Sequence, residues 1–219
     1  MKKMKTIAVI GLGRFGSSVA EELFRKGHEV LVMDERDELV QEYSSKVTYA
    51  VAGDARDENV LKTVGIKNFD CVIIAVGNIE SSAIIALTLQ NMGVSNIVCK
   101  ASHQLHAKLL DKIGVTRVIQ PERDMGKRVA LSLSSDTMMD IIELSGSHSI
   151  AETRPPVQWV GKTIKDLDVR AKYGVSIMAV RSGECGKIEV SPGAEYTIHK
   201  DDVLILVGKN EDLDRLQRI

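Results

Sequence analysis

Through its first half the chain alternates short apolar runs with longer amphipathic stretches. Runs rich in Val, Ile and Ala at residues 6–10, 29–33, 48–52, 71–76, 97–101 and 117–120 have the length and β-branched content of strands. Between them, residues 17–26, 39–45, 59–64, 79–92 and 104–113 carry apolar side chains at helical spacing. Gly27, Gly65, Gly93 and Gly114 each follow one of these stretches, where a residue with positive φ commonly ends a helix. A strand–helix–strand rhythm repeated in this way predicts a parallel sheet with helices on both faces.

After Pro121 the rhythm changes. A helical pattern over 122–134 is followed by strand signals near 139–144, 149–153, 176–181 and 203–207, with short helices over 163–167 and 211–217. SGECGK reads as a hairpin turn, SPG as a second turn and HKDD as a polar turn before VLILVG. The expected fold class is α/β: a Rossmann-like doubly wound parallel sheet over residues 1–134, ending in a crossover helix, and a smaller α+β domain over 135–219.

Charge and composition narrow the function. Lys+Arg at 29 against Asp+Glu at 30 gives a net charge of -1, so no global field exists to hold nucleic acid or anionic lipid, and recognition must be local. Cys71, Cys99 and Cys185 show no pairing or metal spacing and read as reduced cytosolic thiols. The opening MKKMKTIAVIGLG sets lysines before an apolar run, but Arg14 interrupts it and no small-residue cleavage site follows, so it reads as mature protein. The longest apolar runs fall far short of the roughly 18 to 20 residues that cross a bilayer.

The chemistry is concentrated at the first turn. Gly11, Gly13 and Gly16 form GLGRFG directly between the first strand and the first helix, the context a dinucleotide fingerprint requires. Gly11 permits the tight turn, Gly13 lets backbone approach a phosphate, and Gly16 lets helix and strand pack closely, with the helix N–H groups and dipole aimed at the anion. Asp34 closes the second strand 18 residues after Gly16, where a carboxylate accepts from both ribose hydroxyls and repels a 2′-phosphate. Gly53 and Asp54 after the third strand, and Val76 and Gly77 after the fourth, share the carboxyl edge where such sheets hold ligand. Arg14 lies inside the loop and can reach phosphate oxygens of its own or a neighbouring subunit's nucleotide; its other reading is a solvated surface arginine.

GLGRFG, Asp34, the stretch AGDARDENVL and QPERDMG occur in one order that resembles the RCK domains of bacterial Ktr and Trk potassium-uptake regulators. The later IKDLDVRAKYGVSIMAV is similar to the small C-terminal domain of the same family, so the resemblance spans essentially the whole chain. It implies a cytoplasmic homo-oligomer, a ring of eight built from dimers, at the inner face of the membrane. That ring would dock on a membrane potassium-translocating subunit of the KtrB or KtrD kind and exchange ATP for ADP. Gly11, Gly13, Arg14, Phe15 and Gly16 would then surround the phosphates, Asp34 the ribose, Asp54 and Ala55 the adenine side, and Lys100 a further part of the pocket. Glu122 matches a family glutamate that helps bind a divalent cation, Mg or Ca; a lone carboxylate needs phosphate oxygens, waters or a symmetry mate to complete such a site. The C-terminal domain would bind cyclic di-AMP across a two-fold axis, with Arg170 on a phosphate and Ile164, Ile177 and Pro192 on the bases. Those three apolar residues suit an ordinary dimer core equally well.

Two other functions use the same fingerprint. An NAD-dependent oxidoreductase, binding NAD or NADH, would need a substrate domain with an acid or base beside the nicotinamide, and residues 135–219 are patterned as a small sheet with no catalytic set. His103 and His106 lack a third metal ligand and read as surface or helix-packing residues. A generic nucleotide-binding module with a different partner fits composition, but not the family segments.

Overall fold

The computed structural model describes residues 3–134, 137–183 and 185–216. Strands β1 (Thr6–Ile10), β2 (Glu29–Asp34), β3 (Tyr49–Ala52), β4 (Cys71–Ile74), β5 (Ile97–Lys100) and β6 (Arg117–Ile119) form one sheet in the order β3-β2-β1-β4-β5-β6. Every pairing is parallel. The connecting helices are α1 (Arg14–Arg25), α2 (Asp37–Tyr43), α3 (Glu58–Thr63), α4 (Ile79–Asn91) and α5 (Gln104–Ile113), and a 3-10 turn over Ile66–Asn68 precedes β4. The chain runs outward from β1 to β3 and then returns to the other side of β1, which opens a crevice between the carboxyl ends of β1 and β4.

Alternate residues of the central strands bury on opposite faces. Ile7 and Val9 pack with Val30, Val32, Ala20 and Val40 under α1 and α2. Ala8 and Ile10 pack with Leu31, Met33, Leu61, Ile85, Leu89 and Leu110 under α3, α4 and α5. Both faces being covered explains why these strands read as continuous apolar runs. Cys99 is buried in β5, and burial pushes its thiol up to about 12.

Two local contacts fix the helices that matter for the crevice. A Cβ on Gly16, in the first turn of α1, would run into the Gly11 carbonyl oxygen and lie 2.9 Å from the Ala75 Cβ, whereas one on Gly13 would meet nothing within 4 Å. On the other face, His106 of α5 is buried beside Ser82 of α4. Its Nδ1 accepts from the Ser102 N–H at 3.2 Å, which leaves the proton on Nε2, 2.8 Å from the Ser82 hydroxyl; that hydroxyl donates to the Ile79 carbonyl at 3.0 Å. His103 caps α5, its Nδ1 accepting from the His106 N–H. Burial, and then the charge of His103, lower the His106 pKa.

By its internal contacts the chain separates into residues 1–122 and 123–219. Helix α6 (Pro121–Leu133) straddles this division and buries none of its side chains; Met125, Val129 and Leu133 are exposed. In the second unit β7 (Met138–Ser145), β8 (His148–Thr153), β9 (Val175–Arg181), β10 (Ile188–Val190) and β11 (Val203–Lys209) make an antiparallel sheet ordered β10-β9-β11-β8-β7. Trp159, in a 3-10 turn over Val157–Trp159, packs against Tyr173 with ring centroids 5.0 Å apart. It shares a core with Ile198, Leu204, Leu206 and Leu213. Helices α7 (Ile164–Leu167), α8 (Val169–Tyr173) and α9 (Asn210–Leu216) complete the unit. Arg128 of α6 pairs with Asp140 of β7 at 2.5 Å.

The differences from expectation are local. Helix α1 begins at Arg14, three residues before its amphipathic pattern becomes visible, because the fingerprint's own Arg14 and Phe15 form the first turn. Helix α8 was not expected: Asp168 adopts φ +42 between α7 and α8 and splits what read as one short helix and a loop. The expected helix over 211–217 starts at Asn210, and its last residue lies outside the described ones.

Two measurements check these contacts. Gly16→Ala should lower unfolding stability by about 1–3 kcal/mol, the range for overpacking, while Gly13→Ala should cost less than about 1 kcal/mol. Equal urea midpoints for the two variants would contradict the close approach at Gly16. For His106 the folded pKa lies below the unfolded value of about 6.5, so the stability held by the neutral ring is complete above that pH and is lost as pH falls through the folded pKa. His106→Gln should therefore flatten the loss of stability on acidification; an unchanged slope in urea melts would count against the buried neutral ring.

Candidate nucleotide site

At the crevice, β1 is followed by Gly11, whose φ of +98 turns the chain sharply and brings its α-carbon against the Ala75–Val76 backbone; an added Cβ would lie 3.1 Å from those atoms. Beyond the turn, α1 starts with Gly13 as its N-cap, without a side-chain cap and without an acid in the first turn. In α3 and α4, by contrast, a capping side chain and a first-turn Glu satisfy the same end. The exposed N–H groups and dipole of α1 are therefore left to an external anion.

The cleft so formed has a volume of ≈ 280 Å³ and is lined by Gly11, Gly13, Asp34, Gly53, Ala55, Val76 and Gly77 of the expected residues. Ile10, Met33, Ala75 and Ile85 give it an apolar floor, and Glu35, Arg36, Asn78 and Ser81 its remaining rim. Asp34 sits at the end of β2, 9% exposed, with Oδ2 accepting the Leu12 N–H at 2.7 Å. Burial alone would raise its pKa, but the Arg36 side chain, the Leu12 N–H and the Arg36 N–H together hold it below the ordinary value. A charged acceptor is thus kept on the lining of the cleft that the helix terminus also borders.

Other expected residues lie outside the cleft lining. Arg14, Phe15 and Gly16 form the first turn of α1, and among the described residues Arg14 makes no ion pair. Asp54 faces outward and is held by Arg56 at 2.7 Å, which also reaches Glu35 at 3.4 Å. Lys100, at the end of β5, is mostly buried and pairs with Glu122 at 3.1 Å. The Glu122 pKa is lowered by its own backbone N–H, by Lys100 and by the nearby charge of Arg14, so these three residues form one electrostatic group. Among the described residues no three His, Cys, Asp or Glu side chains converge on a metal position. Glu122 offers one carboxylate, already held by a lysine, and this donor set does not by itself fit a divalent cation.

In the second unit the structure brings Ile164, Arg170, Ile177 and Pro192 together around one depression of ≈ 360 Å³. Thr163 caps α7, Lys165 N–H bonds the Ala194 carbonyl at 2.9 Å, and Ser191 N–H bonds the Met178 carbonyl at 2.8 Å, which hold the Pro192 loop beside α7 and β9. Arg170 makes no ion pair among the described residues and stands at the depression's wall.

Of the residues that sequence reasoning passed over, Asn78 was accessible: it precedes an apolar helical run and caps α4 by accepting the Ser81 N–H. Arg36 carried no sequence signal, because its role depends on reaching back to Asp34 across the end of β2.

Comparison with known proteins agrees with this architecture. Residues 7–121 match the TrkA-N domain and residues 151–219 the TrkA-C domain. The chain is 44% identical over 215 residues to Ktr system potassium uptake protein C of Bacillus subtilis, covering 98% of this chain and 96% of that protein. It is equally identical to Ktr system potassium uptake protein A of the same organism over 216 residues, again 98% and 96% of the two chains. Among solved structures, the GsuK RCK domain shares the fold at a TM-score of 0.69 and 22% identity over 99% of this chain; the match spans 48% of that longer chain. The GsuK channel bound to NAD superposes at 0.55 with 22% identity, over 100% of this chain and 38% of the other. With both domain models matched in order and full-length relatives among the Ktr system proteins, the chain belongs to the RCK family of TrkA-N and TrkA-C domain proteins in bacterial potassium uptake.

Proposed function

We propose that this chain is a non-enzymatic, cytoplasmic regulatory subunit that gates a membrane potassium-translocating partner of the KtrB or KtrD kind, with ATP and ADP competing for the N-terminal cleft. The observation that carries this reading is the cleft itself, lined by both an uncapped helix terminus and a buried, charged Asp34. Phosphates suit the first and a ribose the second. Residues 1–134 would make the nucleotide-binding domain and 135–219 the regulatory one. A ring of eight subunits built from dimers would carry the difference between the two nucleotides to the partner at the inner face of the membrane. A divalent cation at Glu122 would need phosphate oxygens, waters or a second copy to complete its shell, and Lys100 would have to release the carboxylate.

A second ligand has an observation of its own. The GsuK channel, of the same fold, is known bound to NAD, and nothing in the cleft's ribose end distinguishes NAD from an adenine nucleotide. Discrimination rests at the phosphate end, on Arg14. If Arg14 reaches the γ-phosphate, Arg14→Ala should weaken ATP binding by about 1.5–3 kcal/mol and ADP binding by less, whereas Asp34→Ala should weaken both alike. Calorimetry with ATP, ADP and NADH decides it: equal losses for ATP and ADP in Arg14→Ala, or tighter binding of NADH, would overturn the ATP/ADP reading.

The depression around Arg170 supports cyclic di-AMP as a second regulatory ligand, one per two chains, because a two-fold ligand suits a two-fold interface. In the full chain Arg170→Ala should weaken it by about 2 kcal/mol through loss of a charge-assisted phosphate contact. Unchanged affinity in that variant would take Arg170 out of the site, and no binding to the wild type would take the ligand out.

A further inference from the structure

The Asp34 carboxylate is the group expected to receive the ribose, yet its acceptor sites are already filled. A carboxylate offers about four lone-pair positions. Oδ1 accepts the Arg36 N–H at 3.1 Å and the Arg36 Nε–H at 2.9 Å, while Oδ2 accepts the Leu12 N–H at 2.7 Å and the Arg36 Nη2–H at 3.1 Å. Two of these four bonds come from main-chain amides at fixed positions beside β1 and β2. The other two come from one guanidinium on a side chain that is 60% exposed and lines the cleft. A ribose cis-diol donates two hydrogen bonds, one from each hydroxyl. It therefore needs one free position on each carboxylate oxygen, and the Arg36 side chain holds one position on each.

We infer that Arg36 is an internal competitor for the ribose of the bound nucleotide, setting affinity by occupying on Asp34 the two acceptor positions that the diol requires. This rests on the nucleotide reading of the cleft and specifies which part of the ligand the competition touches. Binding a ribonucleotide exchanges two guanidinium bonds for two hydroxyl bonds, and the released guanidinium moves into solvent. Arg56 does not take its place, because it is engaged with Asp54 at 2.7 Å and Glu35 at 3.4 Å. A ligand without the diol has no reason to displace Arg36 and is indifferent to it, apart from the general attraction of a cation for phosphates.

The competition gives Arg36 the opposite sign from an ordinary cation in a nucleotide site. The test compares ATP with 2′,3′-dideoxy-ATP on the full chain, since both ligands lose the same nonspecific attraction when Arg36 is removed. The preference for the diol, the Kd for dideoxy-ATP divided by that for ATP, should widen roughly 2- to 5-fold in Arg36→Ala, the range that releasing an exposed ion pair supports. It should disappear in Asp34→Ala and in the double variant, where Arg36 has nothing to occupy. A preference unchanged or narrowed in Arg36→Ala, with Asp34→Ala abolishing it, overturns the competitor role and leaves the nucleotide site standing. ATP binding that is indifferent to both substitutions overturns the site, and the competitor with it.

Discussion

Where α1 crosses the ends of β1 and β4 there is no room for a single Cβ, and most of the N-terminal architecture depends on that contact. Gly16 lies against the Gly11 carbonyl and the Ala75 side chain, and Gly11 against the Ala75–Val76 backbone. Because helix and strands approach this closely, the start of α1 points along the crevice between β1 and β4. The same approach places the Leu12 amide 2.7 Å from the Asp34 carboxylate, so the turn that would hold phosphates also holds the acid that would meet the ribose. A steric constraint on two residues thereby fixes the glycine turn against the acid that closes β2.

The two acids of this edge reach their charged state by different routes. Asp34 is buried and would be raised by that burial; its amide and guanidinium donors outweigh it. Glu122 stands at the exposed start of α6, lowered first by its own backbone N–H and then by Lys100. Asp34 is a rigid acceptor fixed by the sheet, and Glu122 an acid whose partner is a flexible lysine. Ligand recognition suits the former, and a change of partner between states suits the latter.

How much of this was legible in the sequence follows from the range of each interaction. The strands and helices of the parallel sheet were readable because burial on both faces writes continuous apolar runs, and the glycine turn because its three positions answer local steric needs. Helix α8 was not, since five residues after an αL aspartate carry too little periodicity to register. In the site, the glycines and Asp34 announced themselves by spacing. The Lys100–Glu122 pair joins residues 22 apart and became visible only when β5 and α6 were set side by side. The Arg36 fork was unreadable although only two residues separate it from Asp34, because a charged residue after a strand ordinarily points to water. The residues around the Arg170 depression come from α7, α8, β9 and the Pro192 loop, which spacing cannot assemble; only the family resemblance grouped them.

Helix α6 has a consequence of a different kind. Its 13 residues bury no side chain within the chain, and beyond the Arg128–Asp140 pair little in the described residues holds its middle. A helix of that length is marginal in water when nothing covers it, and Met125, Val129 and Leu133 present a stripe with no cover of its own. A partner that covered this stripe would also favour the helical state of the segment, so its winding and its association would be coupled. In such a complex a change in assembly would become a change in chain stiffness directly after the parallel sheet.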